Sequence, residues 1–144
     1  MLIELTDSPE ADDEAFVIAQ TRAFNAAFTK DDLRPLCVFV RDGNGSIVGG
    51  LTAKTCWDYL EIQFLWVDES HRANGLASDL MKTAEREAAN RGCKHVFLDT
   101  LSFQAPGFYE KLGYSEFGRL EGFNGRHLRH FLHKSLAPSA YVQR

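Results

Sequence analysis

At 144 residues, with 44% apolar and 12% aromatic content, the chain carries enough apolar material for one domain with a substantial core. A net charge of -4 and an isoelectric point near 5.7 argue against a general nucleic-acid binder, which presents a basic patch or stripe, and suit a cationic small partner better. No apolar run approaches the roughly 18 residues of a bilayer span, and the acidic N-terminus (Glu4, Asp7, Glu10) lacks a signal peptide's basic region, so a cytoplasmic protein without a membrane partner is expected.

Taken in chain order, the pattern alternates between strand and helix without internal repeats. Residues 2–6 read as a first strand. Ser8 followed by Pro9 reads as a helix N-cap with proline at the first helical position, and Glu10, Asp12, Asp13 and Glu14 suit the positive end of the dipole. Phe16, Ala19, Ala23 and Ala26 then recur at helical spacing, with Phe24 and Phe28 beside them, which predicts one or two N-terminal helices. Residues 36–41 and 46–56 are β-like runs separated by Asp42-Gly43-Asn44-Gly45, a hairpin signal. With a strand over 59–68 they make an antiparallel meander.

Next comes the short basic loop Arg72-Ala73-Asn74-Gly75-Leu76-Ala77. The run before it is β-rich, while Leu76, Leu80, Ala84 and Ala88, widened by Ala77 and Met81, recur at helical spacing after it. A helix therefore starts at the loop and stops at Gly92. Helix N-termini expose unpaired N–H groups and the positive end of the dipole, so a diphosphate is favoured there, and Gly75 admits close approach. Neither G-x-G-x-x-G nor G-x-x-x-x-G-K-[ST] occurs anywhere in the chain.

A strand over 95–100 after this helix implies a parallel β-α-β crossover. Pro106 opens a short helix that stops at Gly113, and residues 114–120 and 127–136 read as two terminal strands, with a loop over 121–125 and a loosely ordered tail over 137–144. Cys37, Cys56 and Cys93 are odd in number and widely spaced, which suggests buried reduced thiols rather than disulfides or a zinc site. His127, His130 and His133 look like a metal triad, but alternation puts His130 on the face opposite the other two, so no metal is expected. His71 touches a phosphate or simply faces water, and Lys111 and Arg119 read as surface charges.

Two motifs carry a family resemblance. Arg72, Gly75 and Ala77 form R-x-x-G-x-A, and Ala105-Pro106-Gly107-Phe108-Tyr109-Glu110-Lys111-Leu112-Gly113-Tyr114 follows at compatible spacing. From Glu61 to Leu136 the order of elements resembles the core of the GNAT superfamily of acetyl-CoA-dependent N-acetyltransferases. The resemblance implies an α/β (α+β) fold with a mixed, mostly antiparallel, twisted sheet of six to seven strands flanked by about four helices. Residues 1–144 would be a single domain with its cofactor-binding core over 59–136. The sheet is expected to splay centrally for the arm of acetyl-CoA, which pairs with backbone at Leu65, Trp66 and Val67. Amides of Arg72, Ala73, Asn74, Gly75, Leu76 and Ala77 would hold the diphosphate, and Ser102, Phe103, Gln104, Phe108 and Tyr109 would flank the arm or its adenosine end. Ser102 stands where many relatives carry Asn.

The implied reaction is direct acetyl transfer to a primary amine of a small-molecule or peptide acceptor in a ternary complex. Glu61 resembles in position a glutamate that serves as base in some relatives; the alternative is a carboxylate that only orients or attracts a cationic substrate. Gln63, two residues on, would help position a base water. Tyr109 resembles the family's proton donor to the departing thiolate, the alternative being a core aromatic with a wet hydroxyl. A homodimer is a further expectation. Two readings from other classes compete: a non-catalytic acyl-CoA sensor, which retention of both Glu61 and Tyr109 disfavours, and a protein-interaction module, which failure to bind coenzyme A would favour.

Overall fold

In the computed structural model, which describes residues 1–137, two compact units are resolved, Met1–Asp32 and the chain from Leu33 onward. The first holds helix α1 (Ala11–Asn25). Glu10 is its N-cap, so Pro9 falls one position outside the helix rather than at its first turn. The expected strand over 2–6 does not form: no ladder partner is present to satisfy its backbone, and a short alternating run has no hydrogen bonds of its own to offset the entropy of extension. Phe24 and Phe28, one helical turn apart, bring their rings to 5.5 Å.

The second unit is built on six strands, β1 (Arg34–Arg41), β2 (Ile47–Cys56), β3 (Tyr59–Val67), β4 (His95–Leu101), β5 (Ser115–Phe123) and β6 (His127–Ser135). Two helices, α2 (Leu76–Asn90) and α3 (Pro106–Lys111), complete it, with single 3₁₀ turns at Glu69–His71 and Ser102–Gln104. Among the described residues three α-helices are thus found where about four were expected, the strand order is β1-β2-β3-β4-β6-β5, and only β3 and β4 pair parallel. The first hairpin closes as its Asp-Gly-Asn-Gly turn suggests: Asp42 Oδ1 accepts from the amides of Asn44 and Ser46, and Gly45 supplies φ +83°. Strand β5 runs on to Phe123, past its expected end at 120, because irregularities in the β5–β6 register absorb the extra residues.

Alternation divides the sheet into two faces. Leu36, Leu51, Ala53, Leu60, Ile62, Val67, Val96, Leu98 and Leu132 lie on the face covered by α2 and form the core with Leu80, Met81, Ala84 and Ala88 of that helix. Arg91, the C-cap of α2, donates through Nη1 to the Pro35 carbonyl and to Thr55 Oγ1, both at 3.0 Å, and so ties the helix end to β1 and β2. Glu85 on α2 accepts from the Tyr114 hydroxyl at 2.9 Å and from Lys134 Nζ at 2.7 Å, which fastens the chain after α3 to α2 and β6. Of the cysteines, Cys93 is buried, whereas Cys37 is exposed and Cys56 half-buried, so the expectation of buried thiols holds for one of the three.

The opposite face carries Cys37, Phe39, Lys54, Tyr59, Glu61, Phe97, Asp99, Arg129, Phe131 and His133. Rings meet across strands there, Tyr59 with Phe97 at 5.3 Å and Phe117 with His133 at 5.2 Å. His130 points the other way from His127 and His133, and its Nδ1 bonds to Glu116. Among the described residues no group of three or more His, Cys, Asp or Glu side chains is arranged to hold a metal, and no helix is long and apolar enough to cross a membrane.

Bonds from His130 and from Arg119 hold the Glu116 carboxyl below the ordinary carboxylate value. A group lowered in the folded state adds stability above its unfolded range and loses it as pH falls through the lower folded value. Glu116→Gln is therefore expected to lower the neutral plateau of a thermal-midpoint profile slightly, to leave its acid end in place and so to flatten the limb below about pH 4.5, a small effect because the cluster faces solvent. A variant whose acid limb matches the parent would show that this cluster contributes nothing to acid sensitivity.

Candidate active site

The parallel pairing of β3 with β4 is brief. Tyr59 pairs with His95, Leu60 with Val96 and Glu61 with Phe97, after which the two strands part. A local cause lies on β3. Thr52 faces Phe64 and Ala53 faces Ile62, so Gln63 is an extra residue with no opposite number, a β-bulge that bends β3 away from its neighbour. A cleft of about 420 Å³ opens in the gap, walled by Gln63, Leu65, Trp66 and Val67 on one side and by Asp99, Thr100, Gln104, Ala105, Phe108 and Tyr109 on the other, with Arg72 and Ala77 at its end.

Backbone polar groups along such a gap lack the partner strand that would normally satisfy them. At Val67 the deficit is met within the chain: Arg72 Nε donates to the Val67 carbonyl at 2.9 Å. Alternation turns the amide of Val67, and the amide and carbonyl of Leu65, to that same side. The Arg72 side chain is thus partly committed to fixing the strand end, and the residue also lines the cleft.

The loop into α2 owes its shape to two left-handed residues, Ala73 at φ +66° and Gly75 at φ +79°, the latter being the N-cap. A Cβ built on Gly75 meets nothing within 4 Å, so the approach to the first turn of α2 is open, and glycine is required by conformation rather than by crowding. Gly75 has no side chain to cap the helix, which leaves the first N–H groups of α2 without a side-chain cap. Asp68 instead accepts from Ser70 and His71, so His71 is engaged with its own turn.

Ala105 at φ +57° turns the chain into α3, which delivers Tyr109 to the cleft. Tyr109 is 9% exposed, and burial pushes its phenol up from the ordinary value. Its hydroxyl has no hydrogen-bond partner among the described residues, whereas the neighbouring Tyr114 hydroxyl is bound to Glu85. The two rings stand edge to face at 6.0 Å. A structural tyrosine and one with an uncommitted proton therefore sit side by side.

The other expected residues divide. Leu65, Trp66, Val67, Arg72, Ala77, Gln104, Phe108 and Tyr109 wall the cleft together, while Ala73, Asn74, Gly75 and Leu76 form the loop and helix start beyond its end. Ser102 and Phe103 turn toward β6: the Ser102 Oγ accepts from the Leu128 amide at 3.2 Å, and the Phe103 ring meets His127 at 5.0 Å. Gln104 Oε1 accepts from the Leu101 amide at 2.9 Å. Glu61 lies just below the split on the face away from α2, paired with Lys54 at 3.3 Å, and does not wall the cleft. Asp99 and Thr100 do wall it and were not singled out from the sequence. A charged residue in the otherwise apolar middle of His-Val-Phe-Leu-Asp-Thr-Leu was the available signal for Asp99.

A sequence profile of the Acetyltransferase (GNAT) family matches residues 3–114. The chain is a GNAT acetyltransferase. It is 35% identical over 117 residues to an acetyltransferase of Agrobacterium fabrum, covering 81% of this chain and 85% of that one. It is 39% identical over 87 residues to the blasticidin-S acetyltransferase of Streptomyces morookaense, covering 58% of this chain and 64% of that one. The crystal structure of an acetyltransferase from Bacillus cereus superposes with a TM-score of 0.81 at 33% identity, covering 92% of this chain and 98% of that one. The GNAT match spans both compact units and both motifs.

The bulge generates a test. Deleting Gln63 leaves every other β3 side chain on its present face, because Ile62 and Phe64 already pair with adjacent residues of β2. The shortened GNAT chain is expected to fold, with β3 and β4 paired further along, and to lose any thermal shift on adding acetyl-CoA. A folded deletion variant with the parent's shift would show that the bulge does not make the cleft.

Proposed function

We propose that this acetyltransferase moves an acetyl group from acetyl-CoA to a primary amine by direct attack in a ternary complex, both units acting as one domain. The observation that carries this reading is the cleft itself: unpaired strand backbone, an uncapped helix N-terminus at one end and an uncommitted phenol within. Leu65 and Val67 would pair with the amides of the pantetheine arm as a missing strand does. One of their N–H groups would also donate to the thioester oxygen as charge develops on it. The first turn of α2, with Gly75 and the Arg72 guanidinium, would hold the diphosphate.

In the step itself a bond forms between the amine nitrogen and the acetyl carbon, the bond from that carbon to sulfur breaks, and the nitrogen gives up a proton. Glu61 takes that proton through water lying by Gln63, since Glu61 sits beneath the mouth of the cleft rather than in its wall. Tyr109 donates to the departing sulfur. Its raised pKa keeps the phenol protonated throughout the neutral range, so it serves first as a hydrogen-bond donor to the developing thiolate, with full transfer the costlier path. The acceptor class follows from the relatives only in outline, as a small molecule bearing an amine, such as the antibiotic that the Streptomyces enzyme is named for.

Three measurements test the reading. Acetyl-CoA at about 100 times its dissociation constant should stabilise the protein by roughly 2.7 kcal/mol. Gly75→Asp, which puts a side chain and a negative charge at the helix start, should remove that shift. Tyr109→Phe should lower kcat by about 10² with coenzyme binding retained; undiminished turnover would make Tyr109 a packing residue. Glu61→Gln should lower kcat and make it rise steeply between pH 6 and 10, where the amine becomes neutral by itself. A raised KM with kcat intact would instead assign Glu61 to substrate attraction.

A further inference from the structure

Asp99 is an ionisable group in the cleft to which the reaction above gives no role. On β4 the buried residues Val96, Leu98 and Thr100 alternate with Phe97, Asp99 and Leu101, so Asp99 emerges on the face opposite α2. It lies two residues past Phe97, the last β4 residue paired with β3, and it walls the cleft. Tyr109 and the start of α2 belong to the other face. An acceptor entering from the side opposite the cofactor's thiol would therefore meet Asp99 first.

The carboxylate is held for such a task. Arg129 places Nε at 2.9 Å and Nη2 at 2.8 Å from Oδ1, and its guanidinium rests over the Phe131 ring at 5.5 Å. Both contacts use one oxygen. Oδ2 has no partner among the described residues, and the Asp99 side chain is 42% exposed. Glu61, the other carboxylate on this face near the split, already has Lys54 against it at 3.3 Å. Trp66 stands across the cleft from Asp99 and offers an aromatic wall, a surface that favours a cation.

We propose that Asp99 anchors the acceptor's ammonium group through Oδ2, with Arg129 as the positioning residue, and that it selects cationic primary amines over neutral hydroxyl or thiol acceptors. This rests on the acetyltransferase reading given above. One ammonium N–H bonds to Oδ2 and a second faces water on the path to Glu61; loss of that second proton to Glu61 frees the lone pair toward the acetyl carbon, and the further proton that the nitrogen sheds as the carbon–nitrogen bond forms and the carbon–sulfur bond breaks leaves through the same water, offsetting the one that Tyr109 gives the sulfur. Asp99 holds the ammonium and takes no proton from it.

The test is steady-state release of coenzyme A thiol by the full-length protein with blasticidin S, spermidine and benzylamine as probes, comparing the parent with Asp99→Asn and Asp99→Glu. Asp99→Asn keeps the shape and an acceptor for Arg129 but removes the charge. It is expected to raise the KM of each accepted amine about tenfold or more, as the loss of a charge-assisted bond implies. Its kcat should stay within about threefold, and its KM for acetyl-CoA and its thermal midpoint should not move, which a purely structural ion pair would not predict. Asp99→Glu should recover part of the affinity. An active parent whose amine KM is unmoved in Asp99→Asn, or whose loss falls on kcat alone, overturns the anchor and leaves the acetyltransferase reading standing. A parent that binds acetyl-CoA yet releases no thiol with any probe overturns both.

Discussion

The constraint on which the rest of this molecule depends is the early end of the β3–β4 ladder. Parallel pairing stops after Glu61 and Phe97, although both strands continue. Unpaired backbone in a core is costly, so a fold that keeps such a gap must satisfy it by other means. Part of the answer is internal, the Arg72 side chain taking up the Val67 carbonyl. The remainder, at Leu65 and the Val67 amide, faces the gap beyond the last paired residues of β3 and β4. The bulge at Gln63 is the device that opens it, at the cost of a single inserted residue.

Holding the gap open requires a rigid surround, and the packing of α2 supplies it. Leu80, Met81, Ala84 and Ala88 are buried against β1, β2 and β3. Arg91 pins one end of that helix. Glu85, receiving bonds from Tyr114 and Lys134, joins its middle to the far side of the split. Each charge-assisted bond of this kind adds about 1.5–3 kcal/mol. Tyr114 follows directly after the α3 turn, so the link that stabilises the domain also sets where Tyr109 stands. Tyr109 and the start of α2 then fall on one face of the sheet and Asp99 on the other, with the cleft between them.

Much of this was legible in the sequence because local chemistry dictated it. The α2 stripe, the Asp-Gly-Asn-Gly hairpin, the stop at Gly92 and the proline start of α3 each follow from periodicity or turn residues. The loop that opens α2 was legible for the same reason, and Gly75 adopts the left-handed φ that glycine takes without strain. Tertiary decisions were not. Nothing in Tyr-Leu-Glu-Ile-Gln-Phe-Leu-Trp-Val announces a bulge, since the alternation reads through it, and the length of the β3–β4 ladder depends on that bulge. The run over 2–6 has the alternation of a strand but no partner, so propensity misled there. Placing Glu61 and Asp99 relative to the cleft needed the register of three neighbouring strands, which no single segment encodes.

The central claim is that the split between β3 and β4 is completed by the acetyl donor as a strand would complete it. Amide hydrogen exchange read residue by residue, with and without saturating acetyl-CoA, tests this most directly. The account expects the amides of Leu65 and Val67 to exchange fast in the free protein and to be slowed at least tenfold on saturation, while that of Trp66, which faces β2, changes little. Saturation that protects only residues 72–77, with Leu65 and Val67 exchanging as before, would contradict it.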